Sequence, residues 1–136
     1  MRRALIAAVG AALLTGLGAA GGGAAPEDRT TGLMRQKLAE SQKVLEGVAL
    51  NDFKMIQRHA EELIEISKKA EWRVLKTPAY EVYSNDFRRI AGALVENAKK
   101  KNLDAAALSY VELTLTCVKC HKHVREVRMT RLDGEW

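Results

Sequence analysis

The chain has 136 residues, 22 Lys and Arg against 17 Asp and Glu, a formal charge of +5 and a pI near 9.4. So mild a surplus, with seven aromatic side chains in all to stack bases, argues against a nucleic-acid-binding protein. A chain of this length builds one hydrophobic core, which excludes a pair of domains.

Residues 1–25 hold Arg2 and Arg3, no acidic residue, six of the ten glycines and an apolar run from Ala4 to Leu17, followed by small-residue exits at Ala19-Ala20 or Ala24-Ala25. A positive start, a short apolar stretch and a small-residue exit predict a secretory signal peptide over 1–25. The apolar run is about 14 residues, short of the roughly 20 that a spanning helix needs. Cleavage is therefore expected, with no stable membrane insertion and a periplasmic location. The domain is then 26–136, whose 20 basic and 17 acidic side chains leave a balance of +3.

That domain contains only Pro26 and Pro78 and four glycines, and no alternating apolar pattern. Its apolar residues recur every three or four positions, which predicts helices. The first helix places Met34, Leu38, Ser41, Leu45 and Val48 on one stripe, with Thr30 or Thr31 as its cap. Leu50-Asn51-Asp52 interrupts the pattern and supplies the cap of the second helix. The second carries Phe53, Ile56, Ala60, Leu63, Ser67 and Ala70 inward and runs to about Trp72. The connection of residues 73–83 includes Thr77-Pro78, where the residue before proline is driven out of the helical region. Ser84, Asn85 or Asp86 can cap the third helix, with Phe87, Ile90, Ala91, Leu94 and Ala98 inward and Lys99 to Lys101 at its negative end. In the fourth, capped by Asp104, the stripe is Leu103, Ala106, Tyr110, Leu113, Cys117, Cys120, Val124 and Val127. The expected fold is all-α, an antiparallel up-down-up-down four-helix bundle.

The only two cysteines are Cys117 and Cys120, with His121 directly after them. A disulfide between them would close too small a loop to restrain the unfolded chain much. Cys-x-x-Cys-His is the spacing of c-type haem attachment. Residues i and i+3 lie on one side of a helix, so two thiols can add to the two haem vinyl groups, and i+4 brings an imidazole to the iron from the same face. A thioredoxin-type redox pair would sit at a helix N-terminus, whereas Cys117 lies more than three turns into a helix. Zinc wants four ligands; His123 offers a third, but no second Cys or His pair exists.

An exported four-helix domain with this motif near its C-terminus resembles the class II c-type cytochromes, the cytochrome c-prime group, over residues 30–129. Arg125, four residues after His121, matches the basic residue that the family commonly has there. The resemblance implies haem c attached through Cys117 and Cys120 with His121 as axial ligand. It implies either an electron carrier with a methionine as second ligand or a five-coordinate haem protein that binds nitric oxide or carbon monoxide. It also implies a possible homodimer through the first two helices, although the outward faces carry many Glu and Lys and no evident apolar seam.

In an antiparallel bundle the start of the first helix lies beside the end of the fourth, so Met34 can approach the iron opposite His121, while Leu33 or Leu38 could equally face it. Met55 and His59 belong to the far end, since a helix of about 20 residues spans roughly 30 Å. His123 and Met129 share a helix with His121 and are poorly placed to reach around the porphyrin. Trp72, Tyr80, Tyr83 and Phe87 can wall the haem, and Lys119, Lys122 and Arg125 can form a basic rim for periplasmic redox partners. With no distal His or Arg, a peroxidase-like enzyme is the least favoured reading.

Overall fold

The computed structural model describes residues 26–133 apart from 70 and 71; the predicted signal peptide lies outside the described residues. Four helices and no strand are found among them: α1 (Pro26–Leu50), α2 (Phe53–Lys68), α3 (Pro78–Lys99) and α4 (Leu103–Asp133). No helix among them is long and apolar enough to cross a membrane.

Two of the links share one construction. After α1, Asn51 takes a left-handed conformation (φ 55°), and the Asp52 amide donates to the Gly47 carbonyl at 2.8 Å. After α3, Lys101 does the same (φ 54°), and the Asn102 amide donates to the Asn97 carbonyl at 3.0 Å. Both are Schellman-type endings that satisfy carbonyls otherwise left open. Each is followed at once by a cap: Asp52 Oδ1 accepts from the Met55 amide and Asn102 Oδ1 from the Ala105 amide, both at 3.0 Å. Asn102, not Asp104, therefore starts α4; Asp104 lies in its first turn.

Three further boundaries differ from expectation. Thr30 and Thr31 lie inside α1, which begins at Pro26. The second helix stops at Lys68, short of Trp72. The third begins at Pro78 under a Thr77 cap, whose Oγ1 accepts from the Tyr80 amide at 3.2 Å. Proline at the first helical position needs no amide partner, which favours this earlier start over Ser84, Asn85 or Asp86. Ser84 instead accepts from Trp72 Nε1 at 2.9 Å, the Tyr80 hydroxyl donates to the Trp72 carbonyl, and Trp72 packs on Phe87 with ring centroids 5.0 Å apart. The long connection is thus held against α3 by one indole.

α1 packs on α2, α2 on α3 and α3 on α4, while α1 and α4 touch only sparsely. The fully buried side chains Val44, Ile56, Leu63, Ile66, Phe87, Ile90, Leu94 and Leu113 come from all four helices. In α1 the buried stripe is Leu33, Lys37, Val44 and Gly47, so Leu38 and Leu45, expected inward, are exposed instead. Met34, Ser41 and Val48 flank that stripe, half-buried. Gly47 is required where it stands: an added Cβ would lie 2.9 Å from Ile56 Cγ1 and 3.0 Å from the Ile56 backbone nitrogen. Ala70, expected inward on the second helix, lies outside the described residues. An apolar seam does exist on the outward face of α4, where Leu108, Val111, Leu115 and Val118 are all more than half exposed.

Candidate functional site

Because α1 and α4 stand apart, a cavity of about 640 Å³ opens between them, within the usual size range of small-molecule sites. Cys117, Cys120 and His121 line it from α4, and Met34 lines it from α1. The α4 wall follows from helix geometry. Leu113 is fully buried, and Cys117 and Cys120, four and seven residues on, carry its stripe toward the cavity, with Val124 a further turn along. Both thiols are free and half-buried.

Burial bears on Cys120 and His121. It pushes the Cys120 thiol above its ordinary range; the positive charge of Lys37 works against that rise, and Cys117 adds to it. Cys117 lies well inside α4 rather than at its N-terminus, which argues against a thioredoxin-like pair. The imidazole of His121 is pushed down by burial, with Lys37 and Arg125 adding to the effect. That keeps a ring nitrogen lone pair free at neutral pH, the form that ligates metals. Among the described residues no cluster of three or more His, Cys, Asp and Glu is placed to hold a metal ion.

The remaining lining is mostly apolar or cationic, with the hydroxyl residues Thr30, Thr31 and Ser41 on the α1 side. Trp72, Val74, Tyr80, Leu38 and Val124 supply hydrophobic surface, and Arg35, Lys37, Arg125 and Arg128 supply positive charge; among the described residues no carboxylate lines the cavity. Burial, with Cys120 nearby, pushes the Tyr80 phenol up to about 12.

Of the residues singled out in sequence, Met34, Cys117, Cys120, His121 and Arg125 come together on this cavity, with Trp72 and Tyr80. Phe87 stands behind Trp72. Tyr83 meets the His123 ring edge-on at 5.8 Å, and His123 Nε2 lies 2.8 Å from Thr77 Oγ1, so His123 fastens α4 to the start of α3. His59 pairs with Glu40 at 2.6 Å and, like Met55, does not line the cavity. Lys119 and Lys122 are exposed and do not line it either. Arg35, Arg128 and above all Lys37 are not apparent in sequence. Arg35 follows Met34 and Arg128 lies seven residues after His121, but a lysine on a buried stripe leaves no apolar mark.

No protein-family model, curated protein or solved structure matches the chain.

Proposed function

We propose that the chain is an exported monohaem c-type cytochrome that carries one electron, similar to the class II c-type cytochromes. The observation that carries the reading is the cavity: two thiols and an imidazole from one helix, a thioether from another, a largely apolar lining and four cations, with no carboxylate among the described residues. Such a donor set fits haem c. Cys117 and Cys120 would hold the group through thioether bonds to its two vinyl substituents, and His121 and Met34 would be the ligands of its iron. The bound group would supply an iron that gains and loses one electron. The chain's own residues hold its orientation through two covalent bonds, exclude water with Trp72, Tyr80 and Val124, and offset the propionates with Arg125 and Arg128.

The two-residue link Asn51-Asp52 and the short link of residues 100–102 support an antiparallel up-down-up-down order for the helices. That order sets the start of α1 beside the motif in α4. Periplasmic location rests on residues 1–25. Periplasmic redox proteins with acidic faces are the natural partners of a rim that includes the exposed Lys119, Lys122 and Arg125.

The test is an optical spectrum of the purified protein. The expected result is a low-spin ferrous spectrum with sharp alpha and beta bands and the weak far-red ferric band of thioether ligation, lost to a high-spin form in Met34→Ala. The Cys117→Ala, Cys120→Ala double variant should lose the haem that survives denaturation. A high-spin wild type that shifts readily with carbon monoxide would overturn the carrier in favour of a gas-binding haem protein, a role that Leu38, lining the same cavity, would serve as an apolar block.

A further inference from the structure

Lys37 is the only buried charged side chain among the described residues, at 7 % exposure. It occupies a core position of α1, between Leu33 and Val44 on the buried stripe. Its Nζ stands 4.6 Å from the Trp72 ring centroid and 4.4 Å from that of Phe87, and it makes no hydrogen bond or ion pair among the described residues. No fully enclosed side-chain nitrogen or oxygen goes without a partner. The unpartnered ammonium is therefore not sealed in the core, and the surface it retains opens on the cavity that Lys37 lines. Desolvating a charge without an opposite charge is costly, and two aromatic faces offset only part of it. A methionine would fill the same space without that penalty.

The other cations of the cavity differ in kind. Arg35, Arg125 and Arg128 are exposed, so water and salt screen them. Lys37 lies inside, and its charge already bears on both Cys120 and His121.

We propose that Lys37 sets the reduction potential of the site by holding a fixed, desolvated positive charge beside it. The proposal rests on the haem reading above. On reduction one electron, supplied by a one-electron donor protein, enters the site; no bond forms or breaks, and the net charge falls by one. A neighbouring positive charge stabilises the lower-charge state, so Lys37 raises the potential and thereby selects which donors can reduce the protein.

Redox titration of the haem-loaded full chain tests this. In Lys37→Met the midpoint should fall by on the order of a tenfold change in the ferrous-to-ferric ratio at fixed electrode potential, which is about 59 mV for one electron. Lys37→Arg should recover most of the difference, and all three spectra should report the same coordination. The Lys37→Met shift should persist at molar salt, whereas the shift from Arg125→Gln should shrink. Lys37→Gln provides a second neutral variant if Lys37→Met does not fold. Equal midpoints in haem-loaded wild type and neutral variants would overturn the proposal alone. So would a changed coordination in the neutral variants, or failure of both to fold while Lys37→Arg folds, since the lysine would then act through ligation or packing. A wild type without covalent haem would instead refute the underlying reading, and the proposal with it.

Discussion

Leu113 and Leu115 lie two residues apart on α4, yet truncating them should have very different costs. Leu113 is fully buried, whereas Leu115 is 53 % exposed. Leu113→Ala removes buried methyl groups and leaves a cavity among fixed neighbours, a loss of about 2–5 kcal/mol. Leu115→Ala removes side-chain carbons already half in water and leaves no cavity. At about 0.8 kcal/mol per buried CH₂ its loss is roughly 1 kcal/mol or less, and the higher helix propensity of alanine returns a few tenths of that. With a urea slope of about 1–3 kcal/mol per molar, Leu113→Ala should lower the unfolding midpoint by about 1–2 M and Leu115→Ala by a small fraction of that. Urea titration followed by far-ultraviolet circular dichroism on dilute protein reads both. Equal costs would refute the register of α4, and with it the placement of Cys117 and Cys120 on the stripe that Leu113 begins.

Four other outcomes follow from single residues. Gly47→Ala should destabilise by about 1–3 kcal/mol, because its Cβ would press on the Ile56 backbone as well as its side chain. Gly92→Ala, inside α3 with nothing within 4 Å of the new Cβ, should stabilise by about 0.5–1 kcal/mol in the same denaturant assay. Asp52→Ala removes the acceptor of the Met55 amide and should cost about 1 kcal/mol, a loss that Asp52→Asn should largely avoid. Tyr80 titrates in the folded chain at about 12, above its ordinary 10.0, so the stability it contributes is complete below pH 10 and is lost as pH rises through 12. Since each tenfold change in proton affinity is worth about 1.4 kcal/mol, that contribution is on the order of 2–3 kcal/mol. Tyr80→Phe should flatten the alkaline unfolding profile over that window, and an unchanged profile would refute the assignment.

The helical class, the break at Asn51-Asp52 and the inward stripe of α4 are legible because each is written in local chemistry: apolar spacing, an asparagine that tolerates a left-handed turn, an aspartate that caps. The start of α3 is not. Three good capping residues at 84–86 compete with Thr77-Pro78, whose claim depends on Trp72 folding back to use Ser84 as an acceptor. That tertiary contact converts a capping residue into a buried one, and a capping rule, which reads only three or four residues, does not span both partners. The outward seam of α4 is hidden for a related reason. Apolar residues on both faces of a helix cancel as a pattern, and only packing decides which face is covered.

Apolar spacing misplaces the inward face of the first helix by about one residue, and the cause bears on the site. Counting apolar positions selects Met34, Leu38, Ser41, Leu45 and Val48, since Leu38 and Leu45 weigh more than a lysine. The structure turns the helix so that Lys37 enters and Leu38 and Leu45 leave. Burying two leucines in place of one lysine would gain apolar area, so hydrophobic burial alone does not account for the choice. The inward lysine is accommodated only because Trp72 and Phe87 present their faces to it and the cavity leaves its ammonium open. Local rules are broken most often where a protein acts, and here the break occurs one turn from Met34, on the wall facing Cys120 and His121. The same rotation brings Met34 to the cavity margin rather than the centre of the helix contact. Met34 thereby lines one cavity with Cys117, Cys120 and His121 of α4, the juxtaposition that the proposed thioether ligation requires.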